Sequence, residues 1–176
     1  LGNVDAVALL SQYSAAVHQR NGNGLTPLHQ AVGHRSVAIV RMLLRKNARI
    51  VSQDRFGKNV LHRAVENDDV LILKELLAVP HGRNVDAMDE TGETPLYKAV
   101  AGNQANMVDM LLKAGADPRI ACSGSTPVGL AQGYQHQAVL AVFAAHSQQH
   151  RLQRRAARKH STSVLEISDD EDEAED

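Results

Sequence analysis

The chain has 176 residues, enough for about one domain, and 43% of them are apolar. Aromatic residues make up only 3% and Trp is absent, which argues against a large aromatic-lined ligand pocket or an aromatic platform for nucleic acids. The single cysteine, Cys122, excludes an internal disulfide and suits a reducing compartment. The sequence has no run of about 18 apolar residues and no signal-peptide pattern, so it predicts no membrane span.

The net charge of −1 conceals a strong asymmetry along the chain. Residues 1–150 hold 14 Lys and Arg against 12 Asp and Glu. Residues 151–160 hold five bases and no acid, whereas residues 161–176 hold eight acids and no base. This distribution predicts a folded body followed by an interaction tail.

Four related segments recur through the body of the chain. They are "TPLHQAV" from Thr26, "NVLHRAV" from Asn59, "TPLYKAV" from Thr94 and "TPVGLAQ" from Thr126, and their starts are 33, 35 and 32 residues apart. Each follows a glycine-containing turn ("NGNG", "DRFG", "DETG", "CSGS") and precedes apolar residues at helical spacing, such as "IVRMLL" and "MVDMLL". The Thr or Asn residues are suited to cap a first helix, with Pro at the first helical position in three of the four units.

This arrangement resembles the ankyrin repeat, whose period is about 33 residues, over residues 2 to about 145. The resemblance implies an all-α solenoid of stacked helix-turn-helix units with protruding turns, here called fingers. Residues 1–145 would form a partial first repeat and four units that start near 24, 57, 92 and 124. We expect a basic helical extension over 146–160 and a disordered acidic tail over 161–176. Because the first unit lacks its first helix, we also expect further repeats upstream in the intact protein.

The nine histidines and the cysteine are candidates for chemistry. His29 and His62 end the TPLH-type motif, and the resemblance implies a structural role for both. His146 and His150 are four residues apart on a predicted helix, but no third ligand lies at a suitable spacing. Cys122 lies in a turn without an evident catalytic partner, so a free thiol is expected. With no catalytic or nucleotide-binding motif in the sequence, we predict a non-enzyme without cofactor or metal.

The resemblance implies that a protein partner binds the concave face, which finger tips and first helices would form. Phe56, at a finger tip, either anchors a partner or folds back onto the next finger. The tips change from basic to acidic between the second and third fingers. The predicted partner-binding residues are Arg20, Gln30, His34, Arg55, Phe56, Lys58, Arg63, Glu66, Glu90, Glu93, Lys98 and Tyr134.

The segment "RLQRRAARKH" places its bases on one stripe of a helix. The stripe is typical of a nuclear-import signal, of a nucleic-acid contact, or simply of a solvated helix end. The neighbouring acids disfavour direct nucleic-acid binding because they would repel phosphates. The bases concerned are Arg151, Arg154, Arg155, Arg158 and Lys159.

The tail sequence "VLEISDDEDE" resembles a SUMO-interaction motif, with Val164, Leu165 and Ile167 as its apolar core beside a run of acids. Such a peptide would add as a strand to an exposed sheet edge. Ser168 precedes Asp169 and resembles a site for acid-directed kinases, and a phosphate there would strengthen docking to a basic rim. The alternative is a disordered, solubilising tail.

These observations predict a nuclear or nucleocytoplasmic adaptor with two binding sites, one on the repeats and one on the tail. The alternative is a regulator resembling the inhibitor-of-NF-κB family, in which the acidic tail masks a basic DNA-binding partner. A third possibility is the interaction domain of a larger enzyme.

Overall fold

The computed structural model describes residues 17–79 and 84–167, with side chains in the last helix described as far as Arg154. Three segments lie outside the described residues, namely 1–16, which hold most of the partial first repeat, 80–83 and 168–176. Within the described part, no strand is present and the regular elements are helices, as the repeat predicts.

Eight helices lie in the described ranges, and they form four pairs. The first helices are α1 (Pro27–Gly33), α3 (Val60–Glu66), α5 (Pro95–Ala101) and α7 (Pro127–Gly133). The second helices are α2 (Val37–Arg45), α4 (Val70–Leu77), α6 (Ala105–Lys113) and α8 (Gln137–Ile167).

The first helices begin as the sequence predicts. The Thr26, Thr94 and Thr126 hydroxyls each accept a hydrogen bond from the backbone N–H three residues later, which satisfies an otherwise unpaired donor of the first turn. Asn59 replaces Thr at the start of α3, and its Oδ1 accepts from the N–H groups of Leu61 and His62. The substitution of Asn for Thr therefore leaves the cap intact.

The helices pack in two layers. First helices contact first helices along the stack (α1 with α3, α3 with α5, α5 with α7), and second helices do the same. The core between the layers is aliphatic, with fully buried Leu28, Leu61, Leu73, Leu96 and Leu111 in successive repeats. Burial of each such side chain stabilises the fold by about 1.5–3 kcal/mol, which makes the interfaces between repeats the main source of stability.

The last helix is the longest in the described part of the chain. α8 runs without a break from Gln137 to Ile167, so it includes the residues 146–160 for which a helical extension is predicted. The backbone is also helical over 161–167, and the disorder of the acidic tail stays a prediction. No Gly or Pro interrupts residues 137–167, so nothing in the local sequence ends the helix earlier.

Candidate functional site

The fingers are tight turns built around a recurring Asn or Asp. The Oδ1 atoms of Asn21, Asp54 and Asp89 each accept two backbone N–H groups of their own turn, two and four residues later, at 2.9–3.0 Å. A glycine with positive φ closes each turn, as at Gly57 (φ 72°). The finger tips are thereby held in a fixed conformation and present their side chains in register.

Backbone hydrogen bonds join neighbouring fingers. Arg55 N–H donates to the Asn23 carbonyl at 3.2 Å, and Glu90 N–H donates to the Phe56 carbonyl at 3.0 Å. The Thr91 carbonyl, one repeat further, lies 3.8 Å from the Cys122 thiol sulfur. Cys122 is buried in this contact, and within the described residues it is a free cysteine, in agreement with the expectation of a free thiol.

The two motif histidines link each first helix to the next finger. In His62, Nδ1 accepts the Asn59 N–H at 3.2 Å and Nε2 donates to the Glu93 carbonyl at 3.0 Å. His29 makes the matching contacts to Thr26 N–H and the Lys58 carbonyl, both at 3.2 Å. Burial lowers the pKa of both side chains, which favours the neutral rings that this pairing needs. Both histidines are structural in this geometry.

An ion-pair cluster joins the second and third repeats. Lys98 Nζ lies 2.9 Å from Asp89 Oδ2 and 2.6 Å from Glu93 Oε2, with Glu66 Oε1 at 3.8 Å. Lys58 Nζ contacts the same Glu66 oxygen at 2.6 Å. The structure thus brings together four predicted partner-binding residues with Asp89, which the sequence reasoning did not single out.

Asp89 is the buried centre of this cluster, since its side chain is only 2% exposed. Burial alone would raise its pKa. Hydrogen bonds from Thr91, Lys98 and the Glu93 N–H outweigh that effect, so that the pKa of Asp89 is lowered from 3.8 to about 2. Burial alone would lower the pKa of Lys98, but the carboxylates of Glu93 and Asp89 raise it. Asp89 and Lys98 are therefore both ionised at neutral pH.

A parallel arrangement occurs one repeat earlier. Arg63 donates to Asp54 Oδ2 at 2.7 Å, and the Asp54 side chain is 1% exposed. Burial opposes its ionisation, but the Arg63 guanidinium and the N–H groups of Phe56 and Lys58 lower the pKa of Asp54 below its usual value. The recurring Asp in "DRFG" and "DETG" was the sequence signal for both buried carboxylates.

Phe56 is 47% exposed, and the Arg55 guanidinium carbon lies 4.6 Å from the centre of its ring. This is a cation–π contact between neighbours on one finger, and it leaves the ring half accessible. Both the basic and the aromatic group at this tip are therefore presented to solvent together.

The other predicted positions are more scattered. Arg20 donates to the Gln53 carbonyl at 3.0 Å, which connects the first and second fingers. Gln30, His34 and Glu90 are exposed. Tyr134 lies at the turn between α7 and α8, 65% exposed and stacked on His136 with ring centroids 5.6 Å apart.

A groove opens between the second and third repeats, beside the ion-pair cluster. Glu66, Glu93, Lys98, Gly102 and Gln104 are among the residues that line it, and its volume is about 320 Å³. Gly102 occupies the position after the first helix that is taken by His34, Asn67 and Tyr134 in the other repeats. The sequence reasoning missed this groove because a glycine at a helix end is ordinarily explained by capping.

Within residues 17–79 and 84–167, no group of three or more His, Cys, Asp or Glu is placed to hold a metal ion. His146 lies in a shallow surface depression between α6 and α8, and His150 is exposed on α8. No helix in the described part is long and apolar enough to cross a membrane.

The basic segment and the apolar core of the tail motif lie on the projecting part of α8. Arg151 and Arg154 are exposed there, and Arg155, Arg158 and Lys159 belong to the same helix. The backbone at Val164, Leu165 and Ile167 is helical, whereas strand addition needs an extended peptide. Binding of that kind would require the end of α8 to unwind. Ser168 lies outside the described residues.

Comparisons with known proteins agree with the architecture. A protein-family model described as "Ankyrin repeats (3 copies)" matches residues 1–54 and 61–156. The chain is 34% identical over 121 residues to the B-cell lymphoma 3 protein homolog of Mus musculus, covering 68% of this chain and 27% of that protein. It is 33% identical over 116 residues to the potassium channel AKT2/3 of Arabidopsis thaliana, and this match covers 66% of this chain and 14% of the channel.

Two further relatives are the nuclear factor NF-kappa-B p105 subunit of Mus musculus, 32% identical over 115 residues, and the phosphocholine transferase AnkX of Legionella pneumophila, 31% identical over 113 residues. The matches cover 64% and 57% of this chain, and each covers 12% of the relative. The chain thus spans about a quarter or less of the length of these four relatives, and what is shared with them is the repeat array.

Proposed function

Since this chain belongs to the ankyrin-repeat family, we propose that it is a non-catalytic adaptor that binds a protein partner through its finger tips and first helices. The observation that carries the proposal is the fixed cluster of charges around Lys98 next to the half-exposed Phe56. These side chains are ordered by hydrogen bonds and ion pairs before any partner arrives, so binding costs little side-chain entropy.

The charges on this face change sign along the stack. Arg20, Arg55 and Lys58 belong to the first two fingers, whereas Glu90 and Glu93 belong to the third. We expect a partner that carries the opposite gradient, because like charges brought together across an interface disfavour binding.

The test is capture of proteins from a nuclear extract by the full chain, compared with a double variant carrying Phe56→Ala and Arg55→Ala. We expect the variant to lose its captured partner, because it removes an exposed aromatic and its cation from one tip. The matched control is Arg119→Ala, which removes an 87% exposed arginine that pairs only locally with Asp117. Equal capture by both variants would contradict binding at the finger tips.

We propose nuclear or nucleocytoplasmic localisation on the basic segment 151–159 and on the similarity to the NF-kappa-B p105 subunit and the B-cell lymphoma 3 protein homolog. Changing Arg154, Arg155 and Arg158 to Gln should move a fluorescent fusion of the full chain from nucleus to cytoplasm. Unchanged distribution would mean that the stripe is a solvated helix end.

A second partner at the tail, SUMO or a SUMO-modified protein, would raise avidity through effective concentration. Leu165→Ala with Ile167→Ala should abolish binding of purified SUMO to the full chain, and a phosphate at Ser168 should strengthen it. Absence of SUMO binding by the unchanged chain would leave the acidic tail with its solubilising role.

A second candidate function is favoured by the same two relatives. In this alternative the chain regulates a DNA-binding protein, and its acids at 169–176 cover a basic surface of that partner. Changing those acids to amides in the full chain separates the two functions. Loss of inhibition of DNA binding favours the regulator, whereas an intact complex with loss of SUMO binding favours the adaptor.

The third candidate, the interaction domain of a larger enzyme, has its support in the phosphocholine transferase AnkX, of which this chain matches 12%. Mass measurement and sequencing of the native protein decide it. A catalytic domain joined to these repeats would assign the repeats to substrate or partner recognition within that enzyme.

A further inference from the structure

We propose that the groove beside Gly102 receives one arginine side chain of the protein partner. This inference rests on the proposed function and deepens it, because it names the chemistry that one part of the partner-binding face recognises. It is argued from the shape of the groove, from its charge and from one unpaired acceptor atom.

The shape depends on the absence of a side chain at residue 102. The backbone of Gly102 has φ of −78°, which any residue adopts, so the glycine is not needed for the turn. A Cβ built on Gly102 would lie 3.2 Å from Gln104 Cδ and 3.3 Å from Cγ. A side chain at this position would therefore crowd Gln104 in the wall of the groove, whereas glycine leaves the space beside Gln104 open.

The charge of the groove favours a cation. Glu66 and Glu93 line it and keep 36% and 32% of their side chains exposed, although both already contact lysines. The cluster of Glu66, Asp89 and Glu93 with Lys58 and Lys98 carries three negative and two positive charges. One additional cation brings the cluster to neutrality.

The wall of the groove also holds an acceptor without a donor. Gln104 Nε2 donates to the Val65 carbonyl at 2.9 Å, which fixes the orientation of the amide. Its Oε1 is buried and has no hydrogen-bond partner among the described residues. That atom lies 3.5 Å from the place where a Cβ of residue 102 would stand. An unpaired buried acceptor has already lost its water, so a donor that reaches it through a small movement of the Gln104 side chain meets no further desolvation cost there.

These features together select a guanidinium over an ammonium. A guanidinium offers five N–H donors in one plane and can meet two carboxylates and an amide oxygen at once. The ammonium of a lysine is a point charge with three donors, and Lys98 already supplies one to this cluster. The apolar stem of an arginine would lie against Val65 and Ala101, which also line the groove.

The probe is N-acetyl-arginine amide, titrated into the ¹⁵N-labelled full chain at low ionic strength and followed by two-dimensional NMR. We expect saturable shifts of the Gly102 amide and of the backbone and side-chain amides of Gln104. The uncharged citrulline analogue should produce none of these shifts, and the lysine analogue should bind more weakly. Equal binding of the arginine and lysine analogues would overturn the assignment of a guanidinium site.

Gly102→Ala should weaken binding of the arginine probe by about tenfold or more, which is the effect of losing one charge-assisted contact. The matched control is Gly33→Ala, because a Cβ at that helix end meets nothing within 4 Å. Glu66→Gln is a second variant that lowers the charge without filling the groove, and it should also weaken binding. Wild-type binding in both Gly102→Ala and Glu66→Gln would overturn the proposal.

The outcome is separable from the proposed function. Partner capture that persists while the probe fails to shift Gly102 and Gln104 overturns the arginine groove and leaves the adaptor in place. Probe binding at the groove without any captured partner supports the groove and counts against the adaptor.

Discussion

Replacement of Asp89 by Asn tests how strongly the buried ion-pair cluster stabilises the stack. The carboxyl is 2% exposed and its pKa is about 2, against an ordinary value of 3.8. At about 1.4 kcal/mol for each pH unit, this difference corresponds to about 2–3 kcal/mol of stability at neutral pH. Asn keeps an oxygen for the turn but removes the charge that pairs with Lys98, so Asp89→Asn should lose about that amount.

The pH dependence follows from the sign of the change in pKa. Because the folded-state pKa is depressed, the stabilisation is fully present above pH 3.8 and disappears as the pH falls from 3.8 to about 2. Urea denaturation followed by circular dichroism should give a free energy of unfolding about 2–3 kcal/mol lower for Asp89→Asn than for wild type at pH 7. At pH 3 the difference should shrink to about 1 kcal/mol.

The control is Asp117→Asn. Asp117 also has a pKa of about 2, but it owes this to Arg119, which is 87% exposed, so solvent screens the pair. We expect a clearly smaller loss of stability than in Asp89→Asn. A difference between wild type and Asp89→Asn that is the same at pH 7 and pH 3, or a loss no larger than in the control, would refute the reasoning.

Three other expectations concern the fingers, the motif histidine and the tail. Gly57→Ala should destabilise the protein by about 1–3 kcal/mol more than Gly92→Ala in urea denaturation. Both glycines have positive φ, but of the two only Gly57 would place a Cβ 2.8 Å from a backbone atom, the Glu90 nitrogen. Equal losses of stability would contradict this. His62→Gln should cost about 1–3 kcal/mol at pH 7.5. Because burial lowers the pKa of His62 from 6.5, the contribution of His62 to stability falls as the pH drops below 6.5. The variant should therefore lose less stability between pH 7.5 and 5.5 than wild type does. Identical losses would show that His62 does not titrate in this range. Leu165→Ala with Ile167→Ala should leave the melting temperature unchanged, and a clear decrease would mean that the end of α8 packs on the repeats.

Local sequence patterns were sufficient to predict the repeat architecture. These patterns are the Thr-Pro and Asn caps of the first helices and the apolar stripes of the second helices, and each acts within one or two turns of the chain. Because their physical effects act over a short range, these features can be predicted from the sequence, and they appear in the structure as predicted.

The sequence predicted only part of the candidate site. The sequence predicted Lys98, Glu66 and Glu93 as surface residues, but not that they share one cluster with the buried Asp89. The contacts of Lys98 with Glu93 and Asp89 lie within the third repeat. Its contact with Glu66, 32 positions away, depends on how the second repeat stacks on the third.

The sequence by itself determined the repeating helix pairs and their caps, because each is decided by neighbours in the chain. Only the tertiary structure decided which charges neutralise one another, that Gly102 borders a groove, and that Gln104 Oε1 has no donor among the described residues. The physical reason is that burial and electrostatic pairing are properties of the interface between repeats. A side chain acquires them only when the next repeat is in place.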